Sequence, residues 1–242
     1  MEQEKKRDQI INGQGTTSGG SFRQVKINGD GTVHGDVECT LLHINGRGEL
    51  EGGLKAEEAE INGSARIGGA VEAKRLKVNG ESSIDGSLAC DELKVKGNIK
   101  IKGQAAGETI RLEGGATIEG DCQAETFEAK GGFQIQGLLN AGVVDVTMYF
   151  SCRAQEIGGE KITVRPKSGL STLLNPFLPK FAAKHLYADV IEGDEIVLEL
   201  TTAKVVRGNR VTLGPGCEIE LVEYKQSLEA DPGARIQNSR QI

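Results

Sequence analysis

The chain has 242 residues, among them 34 glycines, six phenylalanines, three tyrosines and no tryptophan, so a compact globule packed on aromatic side chains is not expected. Its 35 acidic and 29 basic residues give a net charge of −6 and are mixed along the chain. No basic surface is therefore available for nucleic-acid phosphates, which predicts that the protein does not bind nucleic acid.

The N-terminal residues point to a cytoplasmic protein with a flexible start. Residues 1–8 carry charges where a signal peptide needs apolar residues, and no apolar run of the sequence approaches the roughly 18 residues that span a bilayer. Residues 1–21 are mostly polar and contain four glycines, a composition typical of a flexible tail.

Residues 22–142 contain a strict 17-residue repeat. Within each repeat the aliphatic positions alternate in pairs, as in short half-buried strands, and glycines mark two corners where tight bends favour positive φ. This predicts an all-β fold, a parallel β-helix with three-sided coils of 17 residues stacked at about 4.8 Å. The first glycine column is Gly29, Gly46, Gly63, Gly80, Gly97, Gly114 and Gly131, and the second is Gly35, Gly52, Gly69, Gly86, Gly103, Gly120 and Gly137.

Residues 143–225 are expected to continue the β-helix with irregular C-terminal coils. Three segments of similar form begin at Gly159, Gly193 and Gly208, and the first interval between them is twice the regular repeat, whereas the second is slightly shorter than one repeat. The excess length falls in residues 166–186, which hold three of the five prolines and are interpreted as an excursion from the coils. Its candidate partner contacts are Leu174, Phe177 and Phe181. Residues 226–242 are polar and predicted to be a second flexible tail.

The residues with chemical potential do not form a recognisable site. The five cysteines are widely spaced, and Cys39 and Cys90 lie three coils apart, or about 14 Å, which is too far for a disulfide. We therefore expect buried, reduced thiols. The three histidines (His34, His43 and His185) share no column, and no phosphate-binding loop leads into a helix. The sequence predicts no catalytic residue, no metal and no cofactor, and hence a protein that is not an enzyme.

The repeated Ile-Asn-Gly and Gly-x-Val/Ile units resemble those of the bactofilins, a family of polymer-forming bacterial cytoskeletal proteins. They occur, for example, in Val25–Gly29 and in Leu76–Gly80 followed by Ser83–Gly86, and the resemblance extends over roughly Phe22 to Val222. It implies a right-handed β-helix that assembles with itself, without nucleotide, into cytoplasmic filaments serving cell-shape, envelope or motility machinery. Many bactofilins have an apolar membrane-targeting segment at the N-terminus. Residues 1–8 do not match it, so membrane association is not expected.

The ends of the β-helix are the candidate self-association sites, since unpaired strand edges are templates for another strand. From the residues alone, ordinary terminal strands and end-to-end assembly are both open, and the resemblance favours assembly. The predicted contacts are Phe22 and Val25 at one end and Ile219, Leu221 and Tyr224 at the other. The alternative is a monomeric or dimeric binding module that uses the excursion at residues 166–186.

Overall fold

The computed structural model describes residues 7–167 and 184–242. Within these ranges every regular element is a β-strand, and no helix is present. The chain divides into two compact units, Met1–Gly120 and Asp121–Ile242. In each unit successive coils pair in parallel, so the predicted all-β, parallel β-helical fold class is confirmed.

The first unit keeps the 17-residue period throughout its later coils. β2 pairs with β1 and β3 at an offset of 17, as Ile44, Ile61 and Val78 show, and β4 and β5 follow with the same offset. One period is therefore one coil, and β1 is long because it continues around more than one coil. The strands are β1 (Arg7–Leu50), β2 (Leu54–Ile67), β3 (Val71–Ile84), β4 (Leu88–Ile101) and β5 (Ala105–Ile118).

The interior of this unit is a stack of aliphatic side chains. Each buried residue lies beside its equivalent in the next coil, so one column of similar side chains fills the core with little need for aromatic rings. One such column, buried throughout, is Ile27, Ile44, Ile61, Val78, Val95 and Leu112, and another is Val33, Leu50, Ile67, Ile84, Ile101 and Ile118.

The two glycine columns have different physical causes. Gly46 has φ +127° and a Cβ there would overlap the carbonyl oxygen of Gly29, so both backbone conformation and crowding require glycine. In the second column Gly35 has φ +89°, but Gly69 does not have positive φ. A Cβ on Gly69 would meet the backbone of Gly53 at 2.7 Å. The expectation of positive φ along the second column was therefore wrong beyond Gly35, and close approach between coils explains it instead.

The second unit has parallel coils of unequal length. Gly159 pairs with Gly193, and Gly193 pairs in turn with Gly208. The three glycine-initiated segments of the sequence are thus neighbours in the sheet, although the chain between the first two is far longer than the chain between the last two. The strands are β6 (Cys122–Met148), β7 (Cys152–Pro166), β8 (Leu186–Leu198), β9 (Thr201–Leu213), β10 (Glu218–Ala230) and β11 (Arg235–Gln241).

The predicted excursion connects two paired strands. Pro166 is the last residue of β7 and Leu186 is the first residue of β8, and Leu186 pairs with Cys152. Residues 168–183 lie outside the described part of the chain, and with them the candidate contacts Leu174, Phe177 and Phe181.

The two segments expected to be flexible tails form strands where the structure describes them. Residues 7–21 belong to β1, and residues 226–242 contribute to β10 and form β11. The N-terminal coil does not follow the 17-residue period, because equivalent residues of this coil and the next are 16 residues apart. The Nδ2 of Asn28, for example, donates to the Oδ1 of Asn12 at 2.8 Å. The C-terminal coil lacks apolar alternation, and backbone pairing with β10 holds it in place.

All five cysteines are buried and none of them forms a disulfide, as the sequence predicted. Burial raises the pKa of Cys90 to about 12 and those of Cys152 and Cys217 to about 11. A thiol with such a pKa is almost entirely protonated near neutral pH and is a poor nucleophile. These side chains act as small apolar residues of the core.

Candidate self-association edges

The outermost coils of the described chain each have one open strand edge. β1 and β11 are each hydrogen-bonded to a single other strand, β2 and β10 respectively. We call the first coil, residues 7–20, the N-terminal edge, and β11 the C-terminal edge. A strand with one free side presents unpaired N–H and C=O groups to an incoming strand.

A ladder of asparagine amides fixes the register of the N-terminal edge. Asn28 donates to Asn12, Asn45 donates to Asn28 at 3.1 Å, and Asn62 donates to Asn45 at 3.1 Å. Asn79 continues the series by donating to Asn62 at 2.8 Å. Each Nδ2 thus points one coil toward the N-terminus, and Asn12 is the outermost acceptor.

The side chains of the N-terminal edge are mainly polar. Ile11 is buried against the next coil, while its neighbour Ile10 is 51% exposed. Arg23 donates to Asp8 and ties the beginning of the coil to the following one. The N-terminal edge is therefore a well-anchored strand with one apolar side chain open to contact.

The C-terminal edge is polar and carries two arginines. Within β11 only Ile236 is half-buried and the other residues are exposed. Arg235 contacts Glu218 at 3.3 Å, and the side chain of Gln241 donates to the carbonyl of Lys225 at 2.9 Å. These contacts supplement the parallel pairing with β10.

A ladder of alternating charges runs from β8 to the C-terminal edge. Arg207 contacts Glu192 at 2.8 Å and Glu223 at 2.7 Å, and Arg240 holds the other oxygen of Glu223, with its Nε at 2.8 Å. The Glu223 side chain is buried, whereas that of Arg240 is 65% exposed. The hydrogen bonds from Arg240 and Arg207 lower the pKa of Glu223 below its usual range. Arg240 is the last rung of this ladder.

The structure places the predicted contact residues one coil inside the edges. Phe22 and Val25 are buried and follow the N-terminal coil in the chain. Ile219 pairs with Ile236, Leu221 with Asn238, and Tyr224 with Gln241, so β11 covers all three on the outer side. Ile219 is buried, and Leu221 and Tyr224 are half-buried. Their part in self-association stays a prediction.

Sequence reasoning missed the outermost coils themselves. The signal for the N-terminal coil was present in Ile11-Asn12-Gly13, which repeats Ile27-Asn28-Gly29 at a spacing of 16. For β11 the available signal was charge: Arg240 follows Glu223, and Arg235 follows Glu218, each at the same spacing of 17 that governs the regular coils.

The described residues contain no group of three or more His, Cys, Asp or Glu side chains that could hold a metal ion. His34 contacts Glu51 at 2.9 Å and His43 contacts Glu60 at 3.5 Å, as pairs between adjacent coils. His185 hydrogen-bonds Thr202 at 2.8 Å, and burial lowers its pKa. Across residues 7–167 and 184–242, no helix is long and apolar enough to cross a membrane.

Parallel coils with an open outer strand define the class of β-solenoid repeat proteins, in which a free edge is a template for a further strand. The chain belongs to the bactofilin family: residues 9–105 and 65–140 match the family described as bactofilin, polymer-forming cytoskeletal. The resemblance seen in the Ile-Asn-Gly units is therefore confirmed. The match begins at residue 9, inside the N-terminal edge.

Two relatives come from Bacillus subtilis (strain 168). The chain is 58% identical over 234 residues to uncharacterized protein YhbE, which covers 96% of this chain and 97% of that protein. It is 40% identical over 106 residues to uncharacterized protein YhbF, covering 43% of this chain and 42% of that protein. No solved structure matches the chain significantly.

Proposed function

We propose that this protein is a non-enzymatic cytoskeletal scaffold that assembles through its coil edges into filaments without nucleotide. Membership of a polymer-forming cytoskeletal family supports the scaffold role. The observation that carries the proposal is that β1 and β11 each have a single hydrogen-bonded neighbour among the described strands. The proposed partner at each end is a second copy of the chain.

The lateral faces of the coils are poor candidates for this contact because their charges are paired within the chain. In the first unit Lys77 contacts Glu60 at 2.6 Å, and Lys102 contacts Asp85 at 2.7 Å, each between neighbouring coils. Exposed pairs of this kind contribute about 0–1 kcal/mol each and leave the surface solvated. A second copy gains more at an edge, where it satisfies backbone groups.

The corners of the coils support assembly without nucleotide. Phosphate-binding loops lead into a helix whose N-terminal N–H groups face the anion. The corners in the described residues lead from strand to strand. The filaments are proposed to form in the cytoplasm and to serve as a platform for cell-shape, envelope or motility proteins, the role that membership of the family suggests.

Electron microscopy and sedimentation across a concentration series, without nucleotide or metal, test the proposal. We expect polymers whose size grows with concentration. Ile10→Lys places a charge on the N-terminal edge and should reduce polymer size, because edge charges oppose strand addition. Val143→Lys is the matched control, since Val143 is 40% exposed and lies in β6, a strand that forms neither edge.

Two outcomes would contradict the proposal. One is a single-chain mass at every concentration, which would favour the binding module instead. The other is an equal effect of Ile10→Lys and Val143→Lys on polymer size, which would show that the contact does not involve the N-terminal edge.

A further inference from the structure

The C-terminal edge covers apolar side chains with a polar strand. Directly inside β11 lie Cys217, Ile219 and Val222, all buried. β11 itself buries no side chain fully, and Ile236 is its one half-buried residue. By contrast β9, on the other side of β10, buries Ala203, Val206, Val211 and Leu213. The outermost coil therefore adds little apolar burial of its own.

Polar contacts and backbone pairing hold β11 in place. It pairs with β10 from Glu218 with Arg235 to Tyr224 with Gln241, and the N–H of Ile242 donates to the Tyr224 carbonyl at 2.9 Å. A turn links the two strands, in which Asp231 accepts from the N–H groups of Ala234 and Gly233. Segments with few apolar contacts open at lower free energy than the core of a fold.

β11 can detach from β10 without leaving a buried charge unpaired. Arg240 contacts the buried carboxylate of Glu223 through Oε1. The other oxygen of Glu223, Oε2, accepts a hydrogen bond from the Nε of Arg207 at 2.7 Å. If β11 leaves, Arg207 still compensates the carboxylate. Opening would be costly if it left a buried charge without a partner. The contact between Arg207 and Glu223 avoids this cost.

We propose that β11 is a polar cap that occupies, within the same chain, the assembly surface formed by β10, and that a second copy binds there when the cap is displaced. This inference rests on the proposed scaffold function and adds its regulation. Polar terminal coils keep solenoid ends from associating. The displaced cap exposes Ile219, Leu221 and Val222, which include two of the contacts predicted from the sequence.

Deletion of residues 232–242 tests the cap directly by sedimentation and electron microscopy. The deleted chain should assemble at a concentration lower by about tenfold or more, since aliphatic side chains become available to the interface. Arg240→Ala, which removes the contact to Glu223, should act in the same direction but less strongly. Arg235→Ala is the matched control, because the Arg235–Glu218 pair is exposed and adds little.

A second variant separates a specific contact from aggregation. Leu221→Lys within the deleted chain should reverse the gain in assembly, because Leu221 is half-buried in β10. A gain that Leu221→Lys leaves intact, or a deletion that does not promote assembly, would overturn the cap. If neither the full chain nor the deleted chain exceeds the single-chain mass, the scaffold function itself fails.

Discussion

A buried hydroxyl in the first unit provides a sharp test of the packing described here. Ser82 is 6% exposed, and its Oγ has no hydrogen-bond partner within the described residues. Its neighbours in the adjacent coils are Ala65 and Ile99, whose side chains offer no polar atom. Leaving a buried donor or acceptor unsatisfied costs about 1–3 kcal/mol. We therefore expect Ser82→Ala to stabilise the protein.

The expected gain in stability of Ser82→Ala is the cost of the unsatisfied Ser82 Oγ minus the dispersion contacts that this oxygen makes. Alanine already occupies the equivalent position at Ala65, so the shorter side chain fits this column. The lost oxygen gives up a few dispersion contacts of about 0.1–0.2 kcal/mol each. The expected net increase in the free energy of unfolding is about 1–2 kcal/mol. For a chain of this size, that corresponds to a melting temperature higher by roughly 2–8 °C.

Urea denaturation and thermal unfolding measure the global change, and hydrogen exchange at the amides of Ala65 and Ile99 locates it in the neighbouring coils. Ser83→Ala is the matched control, because adjacent strand residues point to opposite faces and Ser83 is half-exposed. Its effect should stay within about 0.5 kcal/mol. A lower stability of Ser82→Ala, or equal changes in both variants, would refute the reasoning.

Three further outcomes follow from backbone crowding, thiol burial and the charge ladder. Gly46→Ala should lower the free energy of unfolding by about 2–4 kcal/mol, because its Cβ meets the Gly29 carbonyl at positive φ. Gly35→Ala should cost only about 1–2 kcal/mol, since its positive φ is accompanied by open space; equal losses in denaturation would contradict this. Because the pKa of Cys90 is about 12, a maleimide at pH 8 should label it only after denaturation, and rapid native labelling would contradict its burial. Glu223 has a lowered pKa, so hydrogen-exchange protection of β11 should persist as the pH falls through 4.5, the ordinary carboxyl value, and weaken only as the pH falls further through the lowered pKa. Glu223→Gln should weaken that protection already at neutral pH, and loss of protection in the unaltered chain at or above pH 4.5 would be the contrary result.

The regular coils could be predicted because one period governs both the core and the corners. A 17-residue spacing places Ile44, Ile61 and Val78 in adjacent coils, and the structure pairs them in that register. The glycine columns could be located as well. Their causes could not be told apart, because crowding by the next coil depends on how closely the backbones approach, and spacing does not encode that distance.

The outer coils were missed because a search for a strict 17-residue apolar period detects neither a coil that is one residue shorter nor a strand without apolar alternation. Asn12 lies 16 residues before Asn28, and the hydrogen bond between their side chains shows that the ladder tolerates the shorter loop. β11 has no apolar alternation, and one of its sides has no neighbouring strand among the described residues. Backbone pairing with β10 and the hydrogen bond from Arg240 to Glu223 fix the register of β11.

The N-terminal edge and the surface of β10 are proposed to support assemblies of different size. If the cap stays in place, a copy has only the N-terminal edge for association, and a contact made by the same edge on both partners closes after two copies. A longer filament needs the surface of β10 as well, and this surface becomes available only when β11 leaves. As the concentration of the full chain rises, sedimentation should therefore resolve pairs first and longer polymers only at higher concentration, whereas the chain lacking residues 232–242 should form open-ended polymers at lower concentration. Ile10→Lys should abolish the pairs, whereas Leu221→Lys should leave them intact, because the proposal assigns the first contact to the N-terminal edge and the second to β10.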